Sequence, residues 1–125
     1  MQRSPRQASH PYPRMARVNA LLLEVLAEEL ARLAGADERL RLLTFTEVLC
    51  DPDLRHAKVL LSSLPEQGAL ALEEQRRHLQ ATISKEVRMR RVPALSFLAD
   101  PAIEAGRRVE EALRRARQNP GEAPR

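Results

Sequence analysis

Apolar residues recur every three or four positions between residues 18 and 33, the period of one face of an α-helix. The residues of this stripe are Val18, Leu22, Val25, Leu26, Leu30 and Leu33. The opposite side of the same helix carries Glu24, Glu28, Glu29 and Arg32. The pattern predicts an amphipathic helix whose acidic face lies toward solvent or a protein partner. Gly35 stands where such a helix should stop.

Two segments rich in β-forming residues follow. Residues 41–49 are rich in Thr, Val, Phe and Leu, and residues 57–64 alternate, with Val59 and Leu61 on one face and Lys58 on the other. Between them, Asp51, Pro52 and Asp53 are residues that favour turns. The sequence therefore predicts two strands joined as an antiparallel hairpin.

The helical period returns over residues 69–90, and Val92-Pro93 ends it because a proline disfavours helical angles in the residue before it. Residues 95–99, LSFLA, are predicted to form a third strand. Asp100 and Pro101 suit the N-cap and first position of a last helix. The residues of this helix that we expect to face inward are Ile103, Val109, Leu113 and Ala116.

This order predicts one α+β domain, a three-stranded sheet with helices packed on one face. The domain is expected over residues 14–117, with disordered, proline-containing tails at 1–13 and 118–125. Because only 2% of the residues are aromatic, the core must be aliphatic, and few rings are present on which bases could stack. The single cysteine, Cys50, forms no internal disulfide, and no apolar run is long enough to span a membrane, so we expect a cytoplasmic protein.

Positive charge is concentrated between residues 75 and 91. This segment has six basic residues and one acidic residue, a local net charge of +5 against +4 for the whole chain. The six are Arg76, Arg77, Lys85, Arg88, Arg90 and Arg91. Arginine side chains at this density suit an anionic partner, because a guanidinium group can bind two oxygens at once; the alternative is an ordinary solvated helix face.

No arrangement typical of an enzyme is evident. Cys50 and His56 lie six positions apart without an orienting partner or oxyanion donors, and Asp51 and Asp53 are explained by turn formation. The sequence also has no glycine-rich phosphate loop and no Cys/His zinc spacing. We therefore predict no catalytic residues, no metal site and no cofactor.

Three stretches in this order resemble the ribosome-binding factor A family. They are RMARVNALLLEVLAEEL near the start, DPDLRHAKVLLSSL at the predicted hairpin, and VRMRRVPALSF followed by Asp100. The resemblance spans about residues 14–113 and implies a type II KH-like domain of order α-β-β-α(α)-β-α. One departure concerns the family's Ala-x-Gly kink between its central helices, where this chain has Gln75-Arg76-Arg77. The segment is expected either to run straighter or to bend near Thr82 or Ser84.

The resemblance implies a non-catalytic, monomeric assembly factor that binds the immature small ribosomal subunit and its rRNA and assists late maturation. On this resemblance we expect the six basic residues of the segment 75–91 to bind RNA phosphates. Arg14, Arg17 and Lys58 are expected to extend the same surface. It further implies links to cold adaptation and to release by a ribosome-associated GTPase, with no membrane partner. The alternative hypothesis is a protein-interaction module that uses an apolar hairpin or helix face and makes no direct RNA contact.

Overall fold

The computed structural model describes residues 12–118, so residues 1–11 and 119–125, which hold most of the two predicted tails, lie outside the described residues. In chain order the elements are α1 (Tyr12–Ala34), a 3-10 turn (Glu38–Leu40), β1 (Phe45–Cys50), β2 (His56–Leu61), α2 (Glu66–Glu86), β3 (Ala94–Ala99) and α3 (Pro101–Gln118). This order confirms the predicted α+β fold.

The three strands form one mixed sheet with β2 in the centre. β1 pairs antiparallel with β2, which confirms the hairpin, and β3 pairs parallel with β2. In the hairpin turn the Leu54 N–H donates to the Asp51 carbonyl over 2.8 Å. Leu54 has φ 60, a left-handed conformation that costs a non-glycine residue about 1 kcal/mol. Its side chain packs against the core, which offsets this cost.

One face of the sheet forms one side of the hydrophobic core. Val48 of β1 lies opposite Val59 of β2, and Val59 lies opposite Phe97 of β3. The Phe45 and Phe97 rings stack, with centroids 6.2 Å apart. The rest of this core is aliphatic, as the composition predicts, and consists of leucine, isoleucine, valine and alanine side chains with Cys50.

α1 and α2 both pack on this face. α1 contributes Leu22, Leu26 and Leu30, and α2 contributes Leu72, Leu79 and Ile83, all 5% exposed or less. The expectation that Glu29 lies on an outward acidic face is wrong, because this residue is only 8% exposed. Its carboxylate is 2.6 Å from His78 Nε2 on α2, so the two helices cover it.

α2 is one continuous helix through Gln75-Arg76-Arg77, without an interruption at the place where the family's kink is expected. The Thr82 hydroxyl donates to the His78 carbonyl over 3.0 Å, a local bond on the helix surface. The helix ends at Glu86, four residues before the predicted end, because Val87 adopts an extended conformation. Arg88 and Arg90 therefore lie on a loop and not on the helix.

α3 begins as predicted, at Pro101. The Asp100 carboxylate accepts a hydrogen bond from the Ala102 N–H over 3.0 Å, and it also accepts one from the Thr46 hydroxyl over 3.0 Å. The inward face predicted for this helix is wrong: Ile103, Val109 and Leu113 are 37%, 59% and 54% exposed. α1 and α2 already cover the inner face of the sheet, and α3 has no buried residue.

Candidate nucleic-acid interface

Most of the predicted basic residues lie at one end of the domain. The Cys50 N–H donates to Asn19 Oδ1 over 2.9 Å, which places the start of α1 beside the end of β1. The Ala94 N–H donates to the Arg55 carbonyl over 2.9 Å, which places the start of β3 beside the hairpin turn. The loop that enters β3 therefore lies at this end too. We define the basic end as Arg14, Arg17, Lys85, Arg88, Arg90 and Arg91.

The loop between α2 and β3, residues 87–93, carries three of these arginines and no acidic residue. Val87, Met89 and Val92 are half-buried against the core, and Pro93 is fully buried. Arg88, Arg90 and Arg91 are exposed. The apolar residues thus anchor the loop and leave the guanidinium groups in solvent.

Arg14 and Arg17 occupy the start of α1 and are also exposed. Met15 and Val18, between and beside them, pack against the core and fix the orientation of this helix end. The first turn of α1 has no acidic residue. Arg14 stands in this first turn, where a cation opposes the helix dipole at a cost of about 0.3 kcal/mol. Lys85 stands in the last turn of α2 and completes the basic end.

The basic end is free of internal neutralisation. Within residues 12–118, none of its six side chains lies within 4.0 Å of a carboxylate oxygen. The adjacent hairpin turn behaves differently, because Arg55 Nε is 3.7 Å from Asp53 and His56 Nδ1 is 3.8 Å from Asp51. Positive charge at this end thus comes from the helix ends and the loop, and the turn contributes little.

Three predicted residues stand apart from this group. Lys58 is exposed on the face of the sheet that the helices leave uncovered. Arg76 and Arg77 lie in the middle of α2, and Arg76 Nε is 3.1 Å from the Glu73 carboxylate. Arg76 and Lys85 are nine positions apart, about two and a half helical turns, so they point to opposite sides of α2.

Cys50 and His56 do not form a catalytic pair. Cys50 is opposite Ala57 on the inner face, whereas His56 lies one position earlier in β2 and faces the other side of the sheet. Burial, with smaller effects from the Asp51 and Asp53 charges, raises the pKa of the Cys50 thiol, which favours the neutral form. Among the described residues, no three His, Cys, Asp or Glu side chains are grouped to hold a metal ion.

Two exposed features of the domain escaped the sequence analysis. The anchoring role of Met89 and Val92 is visible in VRMRRVP, where apolar and basic residues alternate, but the helical pattern predicted there hid it. The second feature is α3, which exposes Arg107, Arg108, Arg114, Arg115 and Arg117.

None of the helices in the described part of the chain has the length and apolarity needed to cross a bilayer.

Comparisons with known proteins agree on one family. The fold is that of a type II KH-like domain. The family model for ribosome-binding factor A matches residues 14–113. Ribosome-binding factor A of Rubrobacter xylanophilus is 35% identical over 106 residues, 81% of this chain and 85% of the relative. That of Heliobacterium modesticaldum is 37% identical over 114 residues, 85% and 88% of the two chains. The chain belongs to the ribosome-binding factor A family.

Solved structures lead to the same family. The crystal structure of ribosome-binding factor A from Thermus thermophilus superposes with a TM-score of 0.62 at 37% identity, covering 68% of this chain and 93% of that one. A homology model of the Thermus factor, fitted into the cryo-EM map of its complex with the 30S subunit, gives 0.57 at 38% identity, covering 66% and 91%. Both pairs share the α+β fold described above.

Proposed function

We propose that this protein is a non-catalytic assembly factor that binds the immature small ribosomal subunit and contacts its rRNA through the basic end. The observation that carries the proposal is the anchored loop 87–93, which presents three arginines without a carboxylate within 4.0 Å in the described chain. Guanidinium groups bind phosphate oxygens in pairs, so such a loop suits an RNA backbone. The Thermus relative, which was fitted into a 30S complex, supports the same partner.

The remaining parts of the proposal are supported only by the resemblance to the family. The protein acts as a cytoplasmic monomer late in maturation, holds an rRNA segment in one arrangement, and leaves when a ribosome-associated GTPase promotes release. A binding protein shifts RNA folding only by the difference in its affinity for the alternative arrangements. Arg76, Arg77 and Lys58 contribute less than the basic end, because they lie apart from it and Arg76 is paired with Glu73.

A charge-reversal experiment tests the proposal. The variant R88E/R90E/R91E should lose association with small-subunit particles in sedimentation of cell lysate. The matched control is R108E/R114E/R115E on α3, which makes the same change in net charge at three exposed positions. We expect the control to sediment with the particles as the unchanged protein does. Equal loss in both variants, or no loss in the first despite normal folding, contradicts the role of the basic end.

The second candidate is a protein-interaction module, and one observation favours it. α3 exposes an apolar stripe that includes Val109 and Leu113, with open space above Gly106 where a side chain would fit. V109D/L113D separates the two functions: particle association that fails in this variant and survives in R88E/R90E/R91E would favour the interaction module.

A further inference from the structure

We infer that α3 is a docking surface for an amphipathic helix of another protein, one that carries acidic residues beside its apolar stripe. This surface is additional to the RNA contact proposed above and does not depend on it. α3 begins at the far end of the sheet, because Leu61 pairs with Ala99 where β2 and β3 end. Ala94, beside the basic end, lies one strand length away, about 20 Å. A partner at the start of α3 therefore leaves the basic end free.

α3 turns an apolar stripe away from the domain. Arg107 Nη2 donates to the Ser62 carbonyl over 2.9 Å, so the Arg107 side of the helix faces the sheet. At 3.6 residues per turn, Val109 lies about 160° around the helix from Arg107, and Leu113 lies about 40° from Val109. These two side chains are 59% and 54% exposed. Within residues 12–118, the face that a core normally covers in such a helix is open.

A shallow hollow lies in this stripe at Gly106. Ile103, Val109 and Leu113 line it, and its volume is about 550 Å³. Apart from the backbone of the helix itself, no atom of the described chain lies within 4 Å of the place where a Cβ would stand. A glycine inside a helix lowers the stability of that helix relative to alanine, and no contact of the described fold uses the missing side chain. We assign the hollow to a large apolar side chain of the partner, packed as a knob into a hole.

The charges beside the stripe select an acidic partner. Arg108 and Arg115 stand two turns apart on one flank of the stripe, and both are exposed. Neither lies within 4.0 Å of a carboxylate oxygen of residues 12–118. Charges that flank the apolar stripes of two packed helices decide which partner is accepted. A second copy of α3 is disfavoured, because antiparallel pairing sets the arginine flanks of the two copies side by side.

The composition of the stripe suits a helix better than a lipid surface. Helices that lie in a membrane surface bury large side chains such as Trp, Phe and Leu. The other residues around Val109 on this face are mostly alanines, at Ala102, Ala105, Ala112 and Ala116. Small side chains bury little area in lipid, but they let a partner helix approach closely.

The test measures the binding of two labelled helical peptides to the full chain by fluorescence anisotropy. Both peptides have about three heptads with leucine at a and d; one carries glutamate at e and g, and the other carries lysine there. At about 0.15 M salt, where charges that are not in contact are largely screened, we expect the glutamate peptide to bind about tenfold or more tighter. R108E/R115E should reverse this preference. G106Q, which fills the hollow with an uncharged side chain, should weaken binding of the glutamate peptide about tenfold.

Two controls locate the binding. R88E/R90E/R91E removes more positive charge than R108E/R115E, but at the basic end, so it should bind the glutamate peptide as the unchanged protein does. Circular dichroism of G106Q should show that the helix content is retained, since glutamine favours a helix more than glycine does. R108E/R115E should still sediment with small-subunit particles, which keeps a failure here distinct from a failure of the proposed function.

Several outcomes overturn the inference. One is equal binding of the two peptides; another is glutamate-peptide binding that survives R108E/R115E and fails in R88E/R90E/R91E. A different occupant also overturns it: a dimer in sedimentation equilibrium that V109D/L113D dissociates, or binding to phosphatidylglycerol vesicles that V109D/L113D abolishes. All of these results leave the RNA contact of the basic end in place.

Discussion

The pair formed by Glu29 and His78 shows how a single residue's role is set by what covers it. Glu29 was expected on the acidic, outward face of α1, yet its side chain is 9% exposed and lies 2.6 Å from His78 Nε2. Arg32 Nε approaches the other carboxylate oxygen at 3.5 Å. A carboxylate buried in this way is tolerated because both of its oxygens have a partner.

Removal of one partner should cost more than removal of the buried charge. H78A leaves the Glu29 carboxylate at the interface with only the longer Arg32 contact, so we expect the free energy of unfolding to fall by about 1–3 kcal/mol. E29L replaces the charge with an apolar side chain of similar size and should be nearly neutral or stabilising. Urea denaturation measures both variants. A loss in E29L as large as that in H78A would show that the contact between Glu29 and His78 itself stabilises the interface.

At the scale of elements, Arg39 joins the 3-10 turn to α2. Its guanidinium donates to Asp37 Oδ2 over 2.8 Å and to Glu74 Oε1 over 2.7 Å. The hydrogen bonds from Arg39 lower the pKa of both carboxyl groups. A carboxyl group whose pKa is lowered on folding stabilises the folded state at pH values above its ordinary pKa of about 4. This stabilisation is lost as the pH falls through the lowered pKa.

This linkage predicts how the melting temperature depends on pH. In R39M the two carboxyl groups lose their partner, so their folded pKa values should return toward the ordinary range. The melting temperature of the unchanged protein should therefore fall more steeply below about pH 5 than that of R39M. Near neutral pH the unchanged protein should be the more stable of the two. Parallel curves from pH 7 to pH 3 would show that Arg39 does not set these pKa values.

α3 is amphipathic, yet it does not belong to the core. None of its residues is buried, and its described link to the sheet beyond the Asp100 cap is the bond from Arg107 Nη2 to the Ser62 carbonyl, 2.9 Å long. A chain that ends after Asp100 should lose only about 1 kcal/mol or less of unfolding free energy. Chemical denaturation of the truncated chain measures this. A loss of several kcal/mol would mean that α3 packs on the domain in solution.

At the scale of the whole molecule, the six cations of the basic end act together. If about five of them neutralise phosphates, the logarithm of the RNA association constant should fall with the logarithm of salt concentration with a slope near about −4. Fluorescence-anisotropy titrations of a labelled fragment of small-subunit rRNA at several salt concentrations give this slope. Any residual binding of R88E/R90E/R91E at low salt should show a shallower slope, of about −2 or smaller in magnitude. Measurable binding with a slope near zero would exclude phosphate contacts as the main source of affinity.

The sequence by itself determined the elements and their order. Helical and alternating periods, turn residues such as Pro52, and the Asp100-Pro101 cap are local signals, and all led to the observed elements within a few residues. The family could also be recognised, because its motifs are contiguous stretches of chain.

Tertiary structure alone decided which faces are covered and which charges stand together. An amphipathic pattern shows that one face of a helix is apolar, but it does not show which element packs against that face. For this reason α3 was expected inside and Glu29 outside. Charge counting along residues 75–91 likewise could not separate Arg76 from Lys85, because helix rotation turns them to opposite sides. The chain's path through α1, α2 and β3 places Arg14 and Arg17 at the same end of the domain as the arginines of the loop, and such an arrangement of distant residues leaves no local signal in the sequence.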